Sequence, residues 1–184
     1  MGRVSQAQAQ ENRKRVVEMA SQLFREQGTS VSVADLMKAA GLTHGGFYKQ
    51  FDSKEALIDE AVSHAFGELA ERRATVLEDS EGERPAAQRA MIDSYLSPRH
   101  RDSPATGCPA AGLATDMARD PGDRGALRTY ADGVSDFADW LATDDQDGIV
   151  RLCTMLGAVV LARATKDSPL SDEILEAARA ALAR

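Results

Sequence analysis

The sequence has few cysteines and no long uninterrupted apolar run. Two cysteines, Cys108 and Cys153, occur in 184 residues, too few for a disulfide framework. The first 30 residues lack the apolar stretch of a signal peptide. The most apolar segment, residues 149–162, contains Arg151 and is shorter than the roughly 20 residues of a membrane helix. We therefore expect a cytoplasmic protein without a membrane partner, in which this segment is a buried helix.

The sequence also lacks the patterns of catalytic and metal sites. The three histidines, His44, His64 and His100, are scattered, and there is no Ser/His/Asp spacing and no Gly-rich loop after a strand. No metal-ligand spacing occurs. We expect no enzyme activity, no catalytic residue, no metal and no cofactor. For His64 two interpretations stay open, a ligand contact and an ordinary half-buried histidine.

Charge is distributed unevenly along the chain. The net charge is −7, but residues 1–54 hold eight Lys and Arg against five Asp and Glu, whereas the remainder holds 14 against 24. This asymmetry indicates a basic nucleic-acid module joined to an acidic body. No segment has the pattern of a strand, and no internal repeat is present. The sequence therefore predicts an all-α protein with about nine helices.

Residues 33–51, VADLMKAAGLTHGGFYKQF, have the pattern of two short helices joined by a tight turn. Apolar side chains recur at helical spacing in the first helix. Gly41 follows where a helix needs a left-handed terminating residue, Leu42 can pack behind it, and Thr43 is placed to N-cap the second helix. Together these features predict a helix-turn-helix unit, whose second helix enters the DNA major groove.

The second helix of this unit is predicted over residues 44–51. At about 100° per residue, Phe47 and Phe51 share its inner face. Its outer face and flanks carry Gly45, Gly46, Tyr48, Lys49 and Gln50. Each of the two glycines costs roughly 1 kcal/mol relative to alanine inside a helix. We interpret them as allowing the close approach of another backbone; the alternative is that so short a helix hardly depends on propensity.

Residues 10–57 resemble the N-terminal domain of the TetR family of bacterial transcriptional regulators. The resemblance rests on RVVEMASQLFREQG in the first helix, on SVADLMKAAGLTHGGFYKQF, and on SKEAL at the start of the next helix. The HGGFY segment is close to a variant common in that family. The resemblance implies a helix-turn-helix DNA-binding domain at residues 1–52 and a helical regulatory, ligand-binding and dimerisation domain at residues 53–184.

The outward face of the second helix supplies most of the expected DNA contacts. Lys49 is expected to contact a base edge or a phosphate. Tyr48 and Lys54 are expected to bind phosphates, because phosphate contacts position a protein on the duplex. Thr43 and His44 are expected to contact backbone or bases. A helix N-terminus at Ser32 adds a phosphate site. The predicted DNA-binding residues are Ser32, Thr43, His44, Gly45, Gly46, Tyr48, Lys49 and Lys54.

Helix boundaries elsewhere follow from capping and loop signals. Residues 1–10 are predicted to be a frayed arm, in which Arg3 either reaches a minor groove or stays in solvent. A long helix is predicted to start from Asp52 with Glu55, or from Ser53 alone, and to end near residue 77. Residues 97–107 are predicted to be a polar loop, and residues 120–122 to stop the helix that precedes them.

The helix over residues 149–164 is apolar on nearly all faces, and a chain of this length has too little protein to bury every face. Gly157, Ala158 and Ala162 would allow the close approach of a neighbouring element, and a partner subunit would cover the faces that remain. The family resemblance implies that the last two helices pair with their copies in a homodimer. The two DNA-binding domains of the homodimer would then bind a palindromic double-stranded DNA operator whose half-sites lie about one turn apart.

An unidentified small-molecule effector completes the expected partners. It would favour a state in which the two DNA-binding domains no longer match successive major grooves. The helix from residue 53 would transmit this change from the body of the protein to the DNA-binding domain. Tyr95, Met117, Phe137 and Trp140 are candidate pocket residues, or simply core. The function that these expectations favour is a ligand-responsive repressor that binds DNA as a dimer.

Cys108 supports an alternative function. Pro109 fits the first position of a helix, so Cys108 would sit at the helix N-terminus behind Arg99, His100 and Arg101, surroundings that favour a reactive thiolate. The GCPAAGL segment resembles one in some TetR-type regulators, including thiol-based sensors. The chain would then be a redox-sensing or electrophile-sensing repressor. The other interpretation of Cys108 is a small buried apolar side chain, and Cys153, inside an apolar helix, is expected to be inert. An all-helical interaction module without sequence-specific DNA binding also stays open.

Overall fold

The structure is a computed structural model that describes residues 6–119 and 125–183. These residues form helices and connectors with no strand, which confirms the all-α prediction. The α-helices are α1 (Gln6–Gln27), α2 (Val33–Ala39), α3 (Lys54–Asp79), α4 (Arg84–Tyr95), α5 (Pro98–Arg101), α6 (Pro109–Arg119), α7 (Gly125–Leu141), α8 (Gly148–Ala164) and α9 (Leu170–Leu182). Two 3₁₀ helices, His44–Lys49 and Pro104–Thr106, precede α3 and α6. Within the described part of the chain, no helix combines the length and the apolarity needed to cross a bilayer.

The first helix begins earlier than predicted. Residues 6–10, assigned from sequence to a frayed arm, are already helical, because glutamine and alanine favour a helix. Arg3 and the predicted stop at residues 120–122 lie outside the described residues. At its other end α1 stops at Gly28 as predicted. There φ is +83°, and the Gly28 N–H donates to the Phe24 carbonyl at 3.0 Å.

The long helix α3 connects the N-terminal helices, hereafter the head, to the helices that follow, hereafter the body. Of the two predicted caps, Ser53 is the one used, because its Oγ accepts the N–H of Ala56 at 3.1 Å. From there α3 runs to Asp79, packing against α1 of the head and against α4 and α7 of the body. A single hydrophobic cluster joins the two parts. The predicted boundary after residue 52 therefore falls between packed elements, and it stays a prediction.

The segment at residues 97–107 was predicted to be a polar loop, and that prediction was wrong. It contains α5 and the second 3₁₀ helix, because both of its prolines begin helices rather than interrupt them. Ser97 caps α5 by accepting the N–H of His100 at 3.2 Å. A proline inside a polar stretch indicates either role, and only the adjacent cap distinguishes them.

His100 connects the elements on either side of this segment through both ring nitrogens. Its Nδ1 lies 2.7 Å from the carbonyl oxygen of Tyr95, and its Nε2 lies 3.1 Å from the backbone nitrogen of Cys108. Because the Cys108 N–H is a donor, Nε2 accepts, and the ring is neutral with its proton on Nδ1. Burial lowers the pKa of His100 to about 4, against the raising effect of the Tyr95 carbonyl.

Arg25 joins α1 to the body. Its side chain is 1% exposed and forms a 2.7 Å ion pair with Glu68 of α3. A second nitrogen donates to the carbonyl of Gly107 at 3.1 Å, and Nε donates to that of Ser21. Burial lowers the pKa of Arg25, and the Glu68 carboxylate opposes that effect. The guanidinium therefore fixes α1, α3 and the start of α6 relative to one another.

Helix α6 contacts the head directly. A Cβ placed on Gly112 would lie 2.9 Å from the carbonyl oxygen of Arg25, so the two backbones approach more closely than an alanine would allow. Farther along α6, Asp116 Oδ1 accepts the N–H of Thr29 at 3.0 Å and its hydroxyl at 2.8 Å. The head is thus attached to α6 at two points as well as to α3.

Helix α7 has the amphipathic pattern predicted for it, and its C-terminal half is bound by cations. Arg73 donates to the carbonyl of Asp136 at 2.8 Å, and Arg84 to that of Asp139 at 2.8 Å. Cations near a helix C-terminus oppose the partial negative charge of its free carbonyls. Near the middle of α7, Gly133 lies against the ring of Phe66 from α3.

Gly133→Ala is expected to destabilise the protein by about 1–3 kcal/mol, because a Cβ at this position would overlap the Phe66 ring and force α3 and α7 apart. The matched control is Gly67→Ala in α3, where a Cβ meets no atom within 4 Å. That substitution is expected to stabilise the protein by up to about 1 kcal/mol. Urea unfolding of both variants measures the difference, and equal effects of the two substitutions would refute the close contact.

His100 is expected to make stability depend on pH. The unfolded chain protonates this histidine below its ordinary pKa of 6.5, whereas the folded chain keeps it neutral down to about pH 4. The unfolded state therefore binds more protons between these values, and stability is lost as pH falls through them. The contribution of His100 is about 2 kcal/mol between pH 7.5 and pH 5. Denaturant unfolding of His100→Asn should lack this component; an unchanged pH dependence would contradict the assignment.

Candidate nucleic-acid interface

The first helix of the predicted helix-turn-helix unit has the caps expected from sequence. At its N-terminus, Ser32 Oγ accepts the N–H of Asp35 at 3.1 Å and donates to the Asp35 carboxylate at 2.6 Å. At its C-terminus, Gly41 adopts φ +71°. The Gly41 N–H donates to the Lys38 carbonyl, and the Leu42 N–H to the Met37 carbonyl at 2.8 Å. This pair of bonds is a Schellman motif, which fixes the direction in which the chain leaves α2.

The second helix was predicted to be an α-helix over residues 44–51, and that prediction was wrong. His44–Lys49 is a 3₁₀ helix, with the Gly46 N–H bonded to the Thr43 carbonyl and the Gln50 N–H to that of Phe47. Thr43 occupies the N-cap position but makes no side-chain capping bond. A helix this short is dominated by the cost of nucleation, which two adjacent glycines increase. The tighter turn needs fewer residues to begin.

The inner face of this element was predicted correctly despite the different helix type. Phe47 is fully buried and Phe51 is 3% exposed, and their rings stack with centroids 5.4 Å apart. Phe51 lies beyond the end of the 3₁₀ helix. A contact that the sequence did not indicate holds it there. The guanidinium of Arg13, from α1, lies 4.3 Å from the centre of its ring and pairs with Glu60 of α3 at 2.6 Å.

The outward face carries the predicted contact residues. Tyr48 is 68% exposed, and its ring meets Phe47 edge-on with centroids 5.1 Å apart. Thr43, His44, Gly45 and Lys49 are exposed, whereas Gly46 is partly covered. Ser32 is exposed at the start of α2, and Lys54 is half-buried in the first turn of α3. The structure thus groups six of the eight residues on one short segment and places the other two at the N-termini of its neighbours.

Nothing in the described chain explains the paired glycines. A Cβ on Gly45 would meet no atom within 4 Å, and one on Gly46 would make an ordinary 3.5 Å contact with Met37. Neither glycine has a positive φ. An alanine would fit both positions and would favour a helix. Neither the packing nor the backbone conformation of the chain therefore requires glycine at positions 45 and 46.

The four candidate pocket residues lie in or beside the core. Tyr95, Met117 and Phe137 are buried, with the Tyr95 and Phe137 ring centroids 6.4 Å apart. Trp140 lines a surface groove of about 400 Å³ between α3, α4 and α7. Their role in effector binding stays a prediction. His64 matches the half-buried interpretation, since its side chain is 38% exposed and its Nε2 lies 3.6 Å from Glu68.

Cys108 immediately precedes α6 as predicted, but it is only 2% exposed. His100 and Arg101, two of the groups expected to supply positive charge beside Cys108, do not supply it. His100 is neutral, and Arg101 pairs with Asp102 at 2.8 Å and with Asp172 at 2.7 Å. Instead, the charges of Arg25 and Arg163 interact with Cys108 from α1 and α8. Burial raises the pKa of Tyr95 well above its ordinary value, and the charge of Cys108 adds to this effect.

Helix α8 exposes part of the apolar surface that was predicted to meet a partner. Its exposed apolar side chains are Ile149, Val150, Val160 and Leu161. Cys153, predicted to be inert within this apolar helix, is exposed, and a Cβ on Gly157 would meet no atom within 4 Å. Ala158 and Ala162, expected to allow close approach, are buried within the protomer.

Comparison with known proteins supports the same description. The sequence model described as "Bacterial regulatory proteins, tetR family" matches residues 16–61. The HTH-type transcriptional regulator AcrR of Shigella flexneri is 39% identical over 61 residues, which are 33% of this chain and 28% of that protein. The HTH-type transcriptional repressor DhaR of Mycobacterium sp. (strain GP1) is 38% identical over 69 residues, 37% and 35% of the respective chains. The chain thus spans about a third of the length of these curated relatives.

The structural similarity extends over nearly the whole chain. The reduced form of E. coli NemR superposes with a TM-score of 0.76 at 20% identity, covering 94% of this chain and 95% of that one. At this identity the similarity shows the fold. Residues 16–61 thus match the sequence of the TetR family of bacterial regulatory proteins, and nearly the whole chain shares the fold of NemR.

Proposed function

We propose that the protein is a transcriptional repressor that binds a palindromic DNA operator as a homodimer and releases it when an effector binds. The observation that carries this proposal is the exposed edge of the 3₁₀ helix. Tyr48 and Lys49 face solvent there, while Phe47 and Phe51 are buried beneath them. A short basic element that protrudes from a helix-turn-helix unit is suited to the major groove.

Each side chain on that edge has a chemical role in the proposal. Lys49 supplies a positive charge for a phosphate or for a guanine edge. The Tyr48 hydroxyl donates to a phosphate, and its ring orientation is restricted by Phe47. Gly45 and Gly46 let the DNA backbone approach without a steric obstacle. Because few side chains can read bases directly, DNA shape would supply part of the specificity.

Dimerisation is supported by the exposed apolar stripe of α8. Ile149 and Val150 are 64% and 63% exposed, and Leu161 is 57% exposed. Burial of these side chains against a second copy would remove apolar surface from water, which contributes roughly 25 cal/mol per Å². A two-fold contact through α8 and α9 would place two heads on one face of the DNA. In this proposal residues 1–52 bind DNA and residues 53–184 regulate and dimerise.

The repressor role is supported by DhaR, which is described as a repressor. Release by an effector requires that the ligand bind one conformation of the body more tightly than another. Arg25 of the head contacts Gly107 and Glu68 of the body, and Asp116 of the body contacts Thr29 of the head. Through these contacts a change in the conformation of the body would alter the position of the head.

A second candidate function is thiol sensing through Cys108. Two observations favour thiol sensing. Cys108 immediately precedes α6, the helix that also contacts the head, and the charges of Arg25 and Arg163 interact with Cys108. Modification of so buried a thiol would need local opening and would separate α6 from its neighbours. The near-complete burial of Cys108 makes an ordinary core residue the simpler alternative.

Lys49→Ala is expected to weaken operator binding and to reduce the slope of log K against log [salt] by about one for each phosphate that the dimer no longer neutralises. The DNA is the promoter fragment upstream of the protein's own gene, studied by gel shift across a salt series. Arg89→Ala, at an exposed position on α4, is the matched control and should leave both quantities unchanged. Wild-type affinity and slope for Lys49→Ala would exclude Lys49 from the interface.

Leu161→Glu is expected to convert the dimer into monomers, because it places a charge within the apolar contact proposed for α8. Sedimentation equilibrium measures the mass directly. Ala90→Glu adds the same charge to an exposed position on α4 and should leave the mass at that of the dimer. If Leu161→Glu stays dimeric, α8 is not the interface proposed here.

Cys108→Ser tests the second candidate function. If Cys108 is the sensor, N-ethylmaleimide should release the wild-type protein and Cys153→Ser from operator DNA, while Cys108→Ser stays bound. The adduct forms by addition of the thiolate sulfur to the maleimide double bond, and a proton from water completes the addition. Release of Cys108→Ser at the wild-type rate would eliminate thiol sensing at this position.

A further inference from the structure

We infer that the cleft between α1, α6 and α8 is a binding site for an amphipathic organic monocarboxylate. The cleft has a volume of about 730 Å³, within the range of small-molecule sites. It lies apart from the buried aromatic residues considered above as effector contacts. Its lining combines cationic side chains with a small apolar wall, and both parts define the class of ligand.

Arg163 of α8 is the main reason to expect an anion. Its Nε donates to the carbonyl of Arg101 at 3.0 Å, and one terminal nitrogen donates to that of His100 at 3.1 Å. Within the described residues no carboxylate lies within 4.0 Å of it. Burial lowers the pKa of Arg163, and an arginine nevertheless stays charged. A partly buried cation without a counter-charge is unfavourable.

The other charges of the cleft indicate how much negative charge a ligand should carry. Arg25 is paired with Glu68, and Arg101 with Asp102 and Asp172. Among the described residues, Lys166, like Arg163, has no ion-pair partner, and the lining also includes the carboxylate of Glu26. Arg101 has two carboxylate partners, so the named charges sum to zero, and the imbalance is local to Arg163, which no carboxylate of the described residues approaches within 4.0 Å. One carboxylate placed against Arg163 would supply the missing partner, whereas a polyphosphate would bring several further negative charges beside Glu26 and Asp102.

The remaining wall of the cleft is apolar. It consists of Pro104, Ala111, Val160 and Ala164. Small side chains at these positions leave room for a hydrocarbon or aromatic group beside the cations. An arginine also suits a carboxylate because its guanidinium presents parallel donors, and the second terminal nitrogen of Arg163 makes no hydrogen bond within the described chain. The combination favours a ligand with one acidic end and an apolar remainder.

The position of the cleft gives this site a regulatory consequence, which rests on the proposed function. Its wall includes Arg25 and Glu26 of the head together with Ala111, Val160 and Arg163 of the body. A ligand that touches both parts has an affinity that depends on their relative position. By thermodynamic linkage, operator DNA and ligand would then change each other's affinity by the same factor.

The test uses the full chain without DNA, so that its outcome does not depend on operator binding. The probe is 2-naphthoate, and the control ligand is 2-naphthamide, which has nearly the same shape without the charge. Titration calorimetry near neutral pH should give one 2-naphthoate per chain, bound about tenfold or more tightly than the amide, as expected for a hydrogen bond to a charged group. The affinity should fall as salt is added.

Four variants locate the binding. Arg163→Gln should lose about tenfold or more in 2-naphthoate affinity, and Lys166→Gln, at an exposed position, should lose several-fold without a change in melting temperature. Ala111→Phe should fill the cleft and weaken both ligands. Arg89→Gln, at an exposed position on α4, should behave as wild type.

Several results would overturn the inference. One is equal affinity for 2-naphthoate and 2-naphthamide; another is absence of 2-naphthoate binding at millimolar concentration. A third is wild-type 2-naphthoate affinity in both Lys166→Gln and Ala111→Phe, which keeps the test decisive if Arg163→Gln does not fold. Failure of the proposed repressor function would show separately, as absence of operator binding by a protein that still binds 2-naphthoate.

Discussion

The burial of the Arg25 guanidinium is the constraint on which the arrangement of head and body depends. A cation removed from water needs partners for both its charge and its N–H groups. Here they come from three places, namely α1 itself, Glu68 of α3 and the carbonyl of Gly107 before α6. No one of these elements can move away without leaving another group unsatisfied. The orientation of the head on the body therefore depends on a buried polar contact as well as on apolar packing.

Local sequence signals were sufficient to predict most of the head. Gly28 and Gly41 end helices because their positive φ is costly for other residues, and Ser32 and Ser53 begin them through side-chain acceptors. Burial of Phe47 and Phe51 followed from spacing alone. The type of helix at His44–Lys49 did not, because six residues with two glycines differ little in energy between α and 3₁₀ geometry. The contact between Arg13 and Phe51 joins distant positions and has no local signal.

In the body, the sequence predicted the helices better than it predicted the side-chain environments. The amphipathic pattern of α7 and the apolar character of α8 were readable directly. Cys108 was expected to lie among the cations of its own loop, yet Arg101 turns toward α9 and the nearby charges come from α1 and α8. The segment that contains Cys153 was predicted to be a buried helix, yet the Cys153 side chain is exposed. Such assignments depend on which helix packs on which face, and periodicity within one segment contains no information about its neighbours.

The close contact between Gly112 and Arg25 has a consequence for exchanging domains between relatives. A junction cut at the loop before α3 is convenient because it separates two segments of the chain. The transplanted head would nevertheless meet the same α6 backbone, and a bulkier residue in place of Gly112 would hold it away from its seat. A head and a body from different relatives are therefore compatible only if the residue at position 112 leaves room for the α1 backbone. Whether the two domains can be exchanged depends on this packing and not only on where the chains are joined.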